Sequence, residues 1–307
     1  MSELAALKDV GIARKGTRPV ESLIRLGLFC CAGVSVITTI AIIGTLAKEA
    51  FGFFQSVPIF SFLTGTDWAP NFNPQRFGVL PLVCGTLWIV VGASVIAIPV
   101  GLASAIYLSE YASPRVRSIL KPVLEVLAGI PTVVYGFFAL TFISPLLKSV
   151  FPSTHAYNAA SAAIVVGIMI LPMVASLCDD ALRSVPQSLR QGAYALGATS
   201  LEATTRVIVP GALSGIFASF VLALSRAVGE TMAVALAAGI TPNISLNPLE
   251  PMQTMTSFIV NQSKGDVSHH GVGYQSIFAV AALLFTITLC ANVFSHRILK
   301  RFREVYE

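Results

Sequence analysis

The sequence predicts an all-α integral membrane protein with six transmembrane helices. Three observations carry that reading. Hydrophobic residues form 55% of the 307-residue chain and charged residues only 11%, against roughly 25% charged in soluble domains, and mean hydropathy is +0.78. Six stretches are apolar and long enough for a hydrocarbon core of about 30 Å, which takes roughly 20 helical residues. Lysine and arginine fall mostly on alternate connecting segments, as the positive-inside rule requires.

The spans are expected at Leu26–Ala47, Val79–Leu108, Val126–Leu147, Ala160–Leu177, Gly211–Gly239 and Val272–Ser295. The first lacks a small-residue cleavage site and exceeds a signal-peptide core, so it reads as a retained anchor. Residues 1–25 form a cytoplasmic tail, 26–78 the first helix and an external loop, 79–300 the membrane core and 301–307 a second tail. Fifteen of the twenty basic residues lie in the two tails and in the loops after the second and fourth spans. Only Lys48, Arg76, Lys148 and Lys264 lie on the other face, and Arg226 lies inside a span. Both termini are therefore expected in the cytoplasm, and the net charge of +5 is a topology signal, not a nucleic-acid surface.

The external segment Lys48–Gly78 is rich in Phe, Pro and Asn, and its aromatics, with Trp68, suit an interfacial layer. Ile240–Gly271 is a second, turn-rich external segment. Pro99, Pro131 and Pro172 fall within the second, third and fourth spans, where each removes a helical hydrogen bond and bends its helix. A freed carbonyl at membrane depth must be buried in protein or line a wet cavity. Pro131, Thr132 and Tyr135 are thus candidates for a translocation path, ordinary helix kinks being the other reading. In the fifth span Gly211, Gly215, Ser219, Ala223, Ala227, Thr231, Ala235 and Gly239 recur every fourth residue. Such a stripe lets a neighbouring helix approach closely, in this chain or another.

Two features carry function. The stretch from Pro186 to Pro210 is amphiphilic and reads as two short helices on the cytoplasmic side. Pro186 suits the first turn, Gly197 the left-handed stop, and Thr199 with Glu202 a capping box that starts the second helix. A soluble knuckle of this kind is a surface for a cytoplasmic partner. The second feature is Arg226 with Glu230. Charges at membrane depth are expensive, at least ~2.5–3.5 kcal/mol on insertion scales, and four residues apart they would share one helical face and partly neutralise each other. They either fix helix register or border a route for a charged solute, to which an arginine offers a fork of donors.

The chain has no phosphate loop, no zinc-protease or nucleophile-elbow motif and no spaced Cys/His set, so neither metal nor enzymatic chemistry is expected. Its five cysteines read as reduced packing residues, His269 and His270 as solvated, and Asp179 and Asp180 as a solvated helix end.

The knuckle resembles the cytoplasmic loop of type I ATP-binding-cassette importer permeases, written E-A-A-x(3)-G. Gln191, Gly192, Ala193 and Gly197 stand at its marked positions and Pro210 at the proline that follows. The likeness covers about residues 75–300 and is greatest to the C-type phosphate-specific permease subunits, through EVLAGIPTVVYG (Glu125–Gly136), MILPMVAS (Met169–Ser176) and SRAVGETMAV (Ser225–Val234). It implies the MetI-like permease fold over 79–300, with the knuckle as coupling loop. It also implies a homologous A-type permease, two cytoplasmic ATPase subunits that bind the ATP, and an external phosphate-binding protein, all at a bacterial inner membrane. No cofactor belongs to this chain on that reading. Gln191 and Gly192 replace the usual Glu and Ala, which puts an ion pair from that position to the ATPase in doubt. A glycine there weakens the helix by roughly 1 kcal/mol. The other readings are a permease for sulfate, molybdate or phosphonate, or an ion-coupled secondary transporter, which would be expected to carry several midplane carboxylates.

Overall fold

The computed structural model describes residues 19–265 and 271–302. His269 and His270, most of the N-terminal tail and residues 303–307 lie outside the described residues. The chain divides into two compact units, Met1–Lys48 and Glu49–Glu307. The described part of the first is the stretch of helix α1 (Pro19–Ser56) up to Lys48; the rest of that helix is counted with the second.

The second unit continues with α2 (Ile59–Thr64) and a two-residue antiparallel hairpin, β1 (Trp68–Ala69) and β2 (Arg76–Phe77). Helix α3 (Leu80–Ile106) follows and is prolonged by a π-helical turn, Tyr107–Tyr111. Next come α4 (Pro114–Ala128) and α5 (Thr132–Phe138), which runs through a π-turn at Ala139–Ile143 into α6 (Ser144–Val150). After α7 (Ala159–Arg183) the knuckle contains α8 (Gln187–Ala195), α9 (Ser200–Ala203), a π-turn at Thr204–Ile208 and α10 (Val209–Gly211). The chain then forms α11 (Leu213–Val228), α12 (Met232–Ala237), α13 (Met255–Lys264) and α14 (Val272–Phe302).

Five helical stretches are long and apolar enough to cross a membrane: Glu21–Ser56, Leu80–Tyr111, Thr132–Val150, Ala159–Arg183 and Val272–Ser295. The bent pair Ser200–Gly211 and Leu213–Val228, angled by 68°, makes a sixth. Two predicted spans change shape. The third does not run unbroken from Val126, because Pro131 has no N–H to continue α4; the membrane helix restarts at Thr132. The fifth is not continuous to Gly239: α11 stops at Val228 with Gly229 as its cap, and α12 is a separate short helix. By contrast, Pro99 and Pro172 lie within helices that continue through them.

Helices α3 and α7 form the centre of the second unit. Ala93, Ala97 and Gly101 on α3 and Ala163, Gly167 and Ala175 on α7 are small, so the two backbones approach closely. The fourth-residue stripe of the fifth span resolves in the same way. Ser219, Ala223 and Ala227 are buried, α11 packs on α7, and a Cβ added at Gly215 would come within 2.5 Å of the Ala181 methyl. The stripe's neighbour therefore belongs to this chain. It serves that purpose only as far as Ala227, where the helix ends.

Trp68 is a correction. It sits in a second apolar cluster with Phe53, Phe62, Phe77 and Phe258, its ring centroid 4.8 Å from that of Phe258 in edge-to-face contact. The hairpin folds this ring inward, so it is a core residue and not part of an interfacial belt. On the same side the loop after α12 turns back over the start of α7. Ala159 and Ala160 donate their N–H groups to the carbonyls of Glu250 and Pro248, and Asn158 Oδ1 caps Ser161 N. The orphan donors of a long helix start are satisfied by a segment about ninety residues later. Of the five cysteines Cys178 is buried among apolar neighbours, whereas Cys30, Cys31 and Cys290 are exposed rather than packed.

Candidate functional site

The knuckle is built by local rules. Pro186 takes an extended conformation as the cap, and α8 starts at Gln187, one residue beyond the predicted start. Gly197 has φ +85°, where a side chain would be strained. The chain closes α8 through Gly197 N–H to Tyr194 O at 3.0 Å and Ala198 N–H to Ala193 O at 3.1 Å, the pair of bonds of a Schellman stop. Thr199 and Glu202 form the expected capping box. Gln191, Gly192, Gly197 and Pro210 are exposed and Ala193 is half-buried. Leu189, Tyr194, Leu196 and Leu201 are exposed as well, Leu196 at 91%. Apolar side chains on a polar loop outside the membrane form a surface that a partner would cover.

Charge pairs hold the base of this loop. Asp179, read from sequence as a solvated helix end, is 1% exposed and takes an ion pair from Arg117 of α4, with Lys121 Nζ 3.6 Å away. Asp180 is open to solvent yet accepts from Lys121 Nζ at 3.0 Å. Arg190 of α8 donates through one Nη to both oxygens of Glu110, at 2.6 and 2.7 Å, and through the other to Leu182 O at 2.7 Å. Neither Glu110 nor this role of Arg190 was legible in the sequence. The partners are eighty residues apart, and no spacing rule links them.

Inside the membrane the two broken spans meet. Gly136 of α5 faces α12 so closely that a Cβ there would lie 2.9 Å from Ala233 Cα. Pro131 is exposed, Thr132 half-buried and Tyr135 buried. The Tyr135 hydroxyl donates to Leu127 O at 2.9 Å, four residues before Pro131, a carbonyl that also accepts the Ile130 N–H at 3.3 Å. That hydroxyl therefore ties α5 back to the last turn of α4.

Arg226 and Glu230 do not share a helical face, and among the described residues they form no ion pair. The helix ends between them. Glu230 is 8% exposed, and its carboxylate accepts the Ala233 N–H at 3.1 Å at the start of α12. Its backbone carbonyl accepts the Thr256 hydroxyl of α13 at 2.8 Å. Buried Thr86, Gln253, Thr254 and Ser257 extend this polar layer, Thr86 Oγ1 accepting Met255 N–H at 3.1 Å. Arg226 is exposed, makes no hydrogen bond or ion pair with the described residues, and lies within electrostatic reach of Tyr135. It stands about 20 Å along α11 from Leu213 at 1.5 Å per residue. The sequence placed both charges in one span; only the break assigns them different jobs, an anchor and a free cation.

Residues 97–304 match a family described as binding-protein-dependent transport system inner membrane component. The chain is 32% identical over 267 residues to the probable ABC transporter permease protein YqgH of Bacillus subtilis, covering 86% of each. It is 32% identical over 289 residues to the phosphate transport system permease protein PstC of Mesorhizobium japonicum, covering 87% of each. A solved structure of a bacterial ABC transporter involved in the import of the acidic polysaccharide alginate contains a chain of the same fold. Its TM-score is 0.63 at 14% identity, covering 94% of this chain and all of that one.

Proposed function

The chain belongs to the family of binding-protein-dependent transport system inner membrane components, and from that premise we propose that it is a permease subunit of an ATP-driven importer of inorganic phosphate. The observation that carries the reading is Arg226, a guanidinium in a membrane span without a partner of its own, beside the junction of two broken spans. A cation in a membrane span is expensive alone; a passing oxyanion compensates it transiently, and the guanidinium fork matches tetrahedral oxygens. The relative named for phosphate transport favours phosphate within the oxyanions.

In this reading a homologous A-type permease completes the path that Arg226 faces, and an external binding protein delivers the anion. Two cytoplasmic ATPase subunits bind and hydrolyse ATP against the exposed face of the knuckle, and this chain contributes no hydrolytic site or cofactor. Both termini lie in the cytoplasm of a bacterial inner membrane.

The test is uptake by the reconstituted complex in vesicles. Phosphate should enter only with ATP and binding protein. Arg226→Gln should reduce uptake by about tenfold or more, the loss of one charge-assisted hydrogen bond of ~1.5–3 kcal/mol, while assembly is unchanged. Glu230→Gln should lower stability, since it weakens the start of α12. Full uptake by an assembled Arg226→Gln complex would remove Arg226 from the path. Transport of sulfate in preference to phosphate would reassign the solute, and uptake that follows an ion gradient without ATP would overturn the class.

A further inference from the structure

We propose that the Arg190–Glu110 pair is the rigid link that carries movement of the knuckle into α3, so that α8 and the cytoplasmic end of α3 move as one body. The inference rests on the reading of the knuckle as the ATPase contact and adds the residues through which force leaves it.

No residue of the nine-residue helix α8 is buried. Its face toward the membrane core is formed by Arg190, whose side chain is only 11% exposed, against a Glu110 side chain that is 6% exposed. The guanidinium divides between two elements: one Nη binds both Glu110 oxygens, the other binds Leu182 O in the last turn of α7. Glu110 is itself held by the Ser109 hydroxyl at 2.6 Å, and both sit on the π-turn that ends α3. Such turns insert an extra residue and re-aim side chains, and recur at functional sites.

A buried ion pair adds little net stability over an apolar pair of the same volume, but it holds one geometry and tolerates displacement poorly. Chain connectivity already joins the knuckle to α7 and α11 on either side. Helix α3 is not adjacent to it in sequence, and among the described residues the side-chain hydrogen bonds from α8 to the end of α3 are those of Arg190 to Glu110. Because α3 packs along the length of α7, a knuckle bound to both helix ends moves the central helix pair together, where connectivity alone would move α7.

Two measurements on the full complex test this. In the first, cysteines replace the exposed Ser188 on α8 and Tyr111 at the end of α3, with Cys30, Cys31, Cys84 and Cys290 changed to serine, and carry spin labels. The distance between them should be the same in the ATP-free and ATP-bound complexes. A change approaching one helical turn, about 5 Å, would overturn the link. In the second, the double change Arg190→Gln with Glu110→Gln removes both charges and strands neither. The double variant should assemble and hydrolyse ATP, with phosphate moved per ATP falling about tenfold, within the usual range for coupling between distant sites. An assembled double variant with native coupling would also overturn the proposal. Should it fail to assemble, the label distance still decides. A wild-type complex that shows no ATP-driven uptake would instead contradict the proposed function, and the two failures are thereby distinct.

Discussion

Glu202 shows what a single residue does in the knuckle. One of its carboxylate oxygens accepts both the Thr199 N–H and the Thr199 hydroxyl, each at 3.0 Å. These bonds hold its carboxyl below the ordinary value of 4.5. A depressed carboxyl adds stability that is fully present above that value and is lost as pH falls through the lower folded one. Protection of the Thr199 amide from hydrogen exchange, corrected for intrinsic rate, should therefore drop as pH falls below about 4.5. In Glu202→Gln, which keeps an acceptor but cannot titrate, the same measurement should be flat. An equal drop in both would show that the capping box is not the cause. This residue was legible in the sequence because its partner is three positions away. Asp179 and Arg190 were not, because their partners lie sixty-two and eighty positions away and nothing local distinguishes a paired charge from a solvated one.

At the scale of elements, helix ends matter more than helices. The Schellman stop at Gly197 sets the angle between α8 and α9. Space around it is open, so the demand on this position comes from backbone conformation alone. Gly197→Val should strain the turn by about 1–2 kcal/mol and Gly197→Asn by less, since Asn tolerates the left-handed region. Uptake should fall in that order while the protein still reaches the membrane, as measured on membrane fractions. Equal uptake by both variants would show that the angle is not used. The breaks at Gly129–Pro131 and Gly229–Thr231 are also helix ends, but their glycines keep φ -85° and -86° and make no left-handed turn. Proline announced the first. The second was hidden, because Gly229 sits in an otherwise regular small-residue pattern that reads as uninterrupted helix.

For the whole molecule, the prediction is topology. In a background without other exposed cysteines, a cysteine at the exposed Lys264 should react with an impermeant reagent from outside the cell, and one at Gln191 only from the cytoplasmic side. Reaction of both from the same side would refute the arrangement. The apolar spans and the knuckle's helix–glycine–helix form were readable in the sequence, because hydropathy and capping act over short stretches of chain. Tertiary structure alone decided that Trp68 turns inward, that the stripe on α11 meets α7, that Tyr135 ties α5 back to α4 and that Arg190 reaches Glu110. It also separated Arg226 from Glu230, making one an exposed cation and the other an internal helix anchor. Each of these depends on which distant groups come within a few ångströms, and that is set by close packing of the helices rather than by any pattern along the chain.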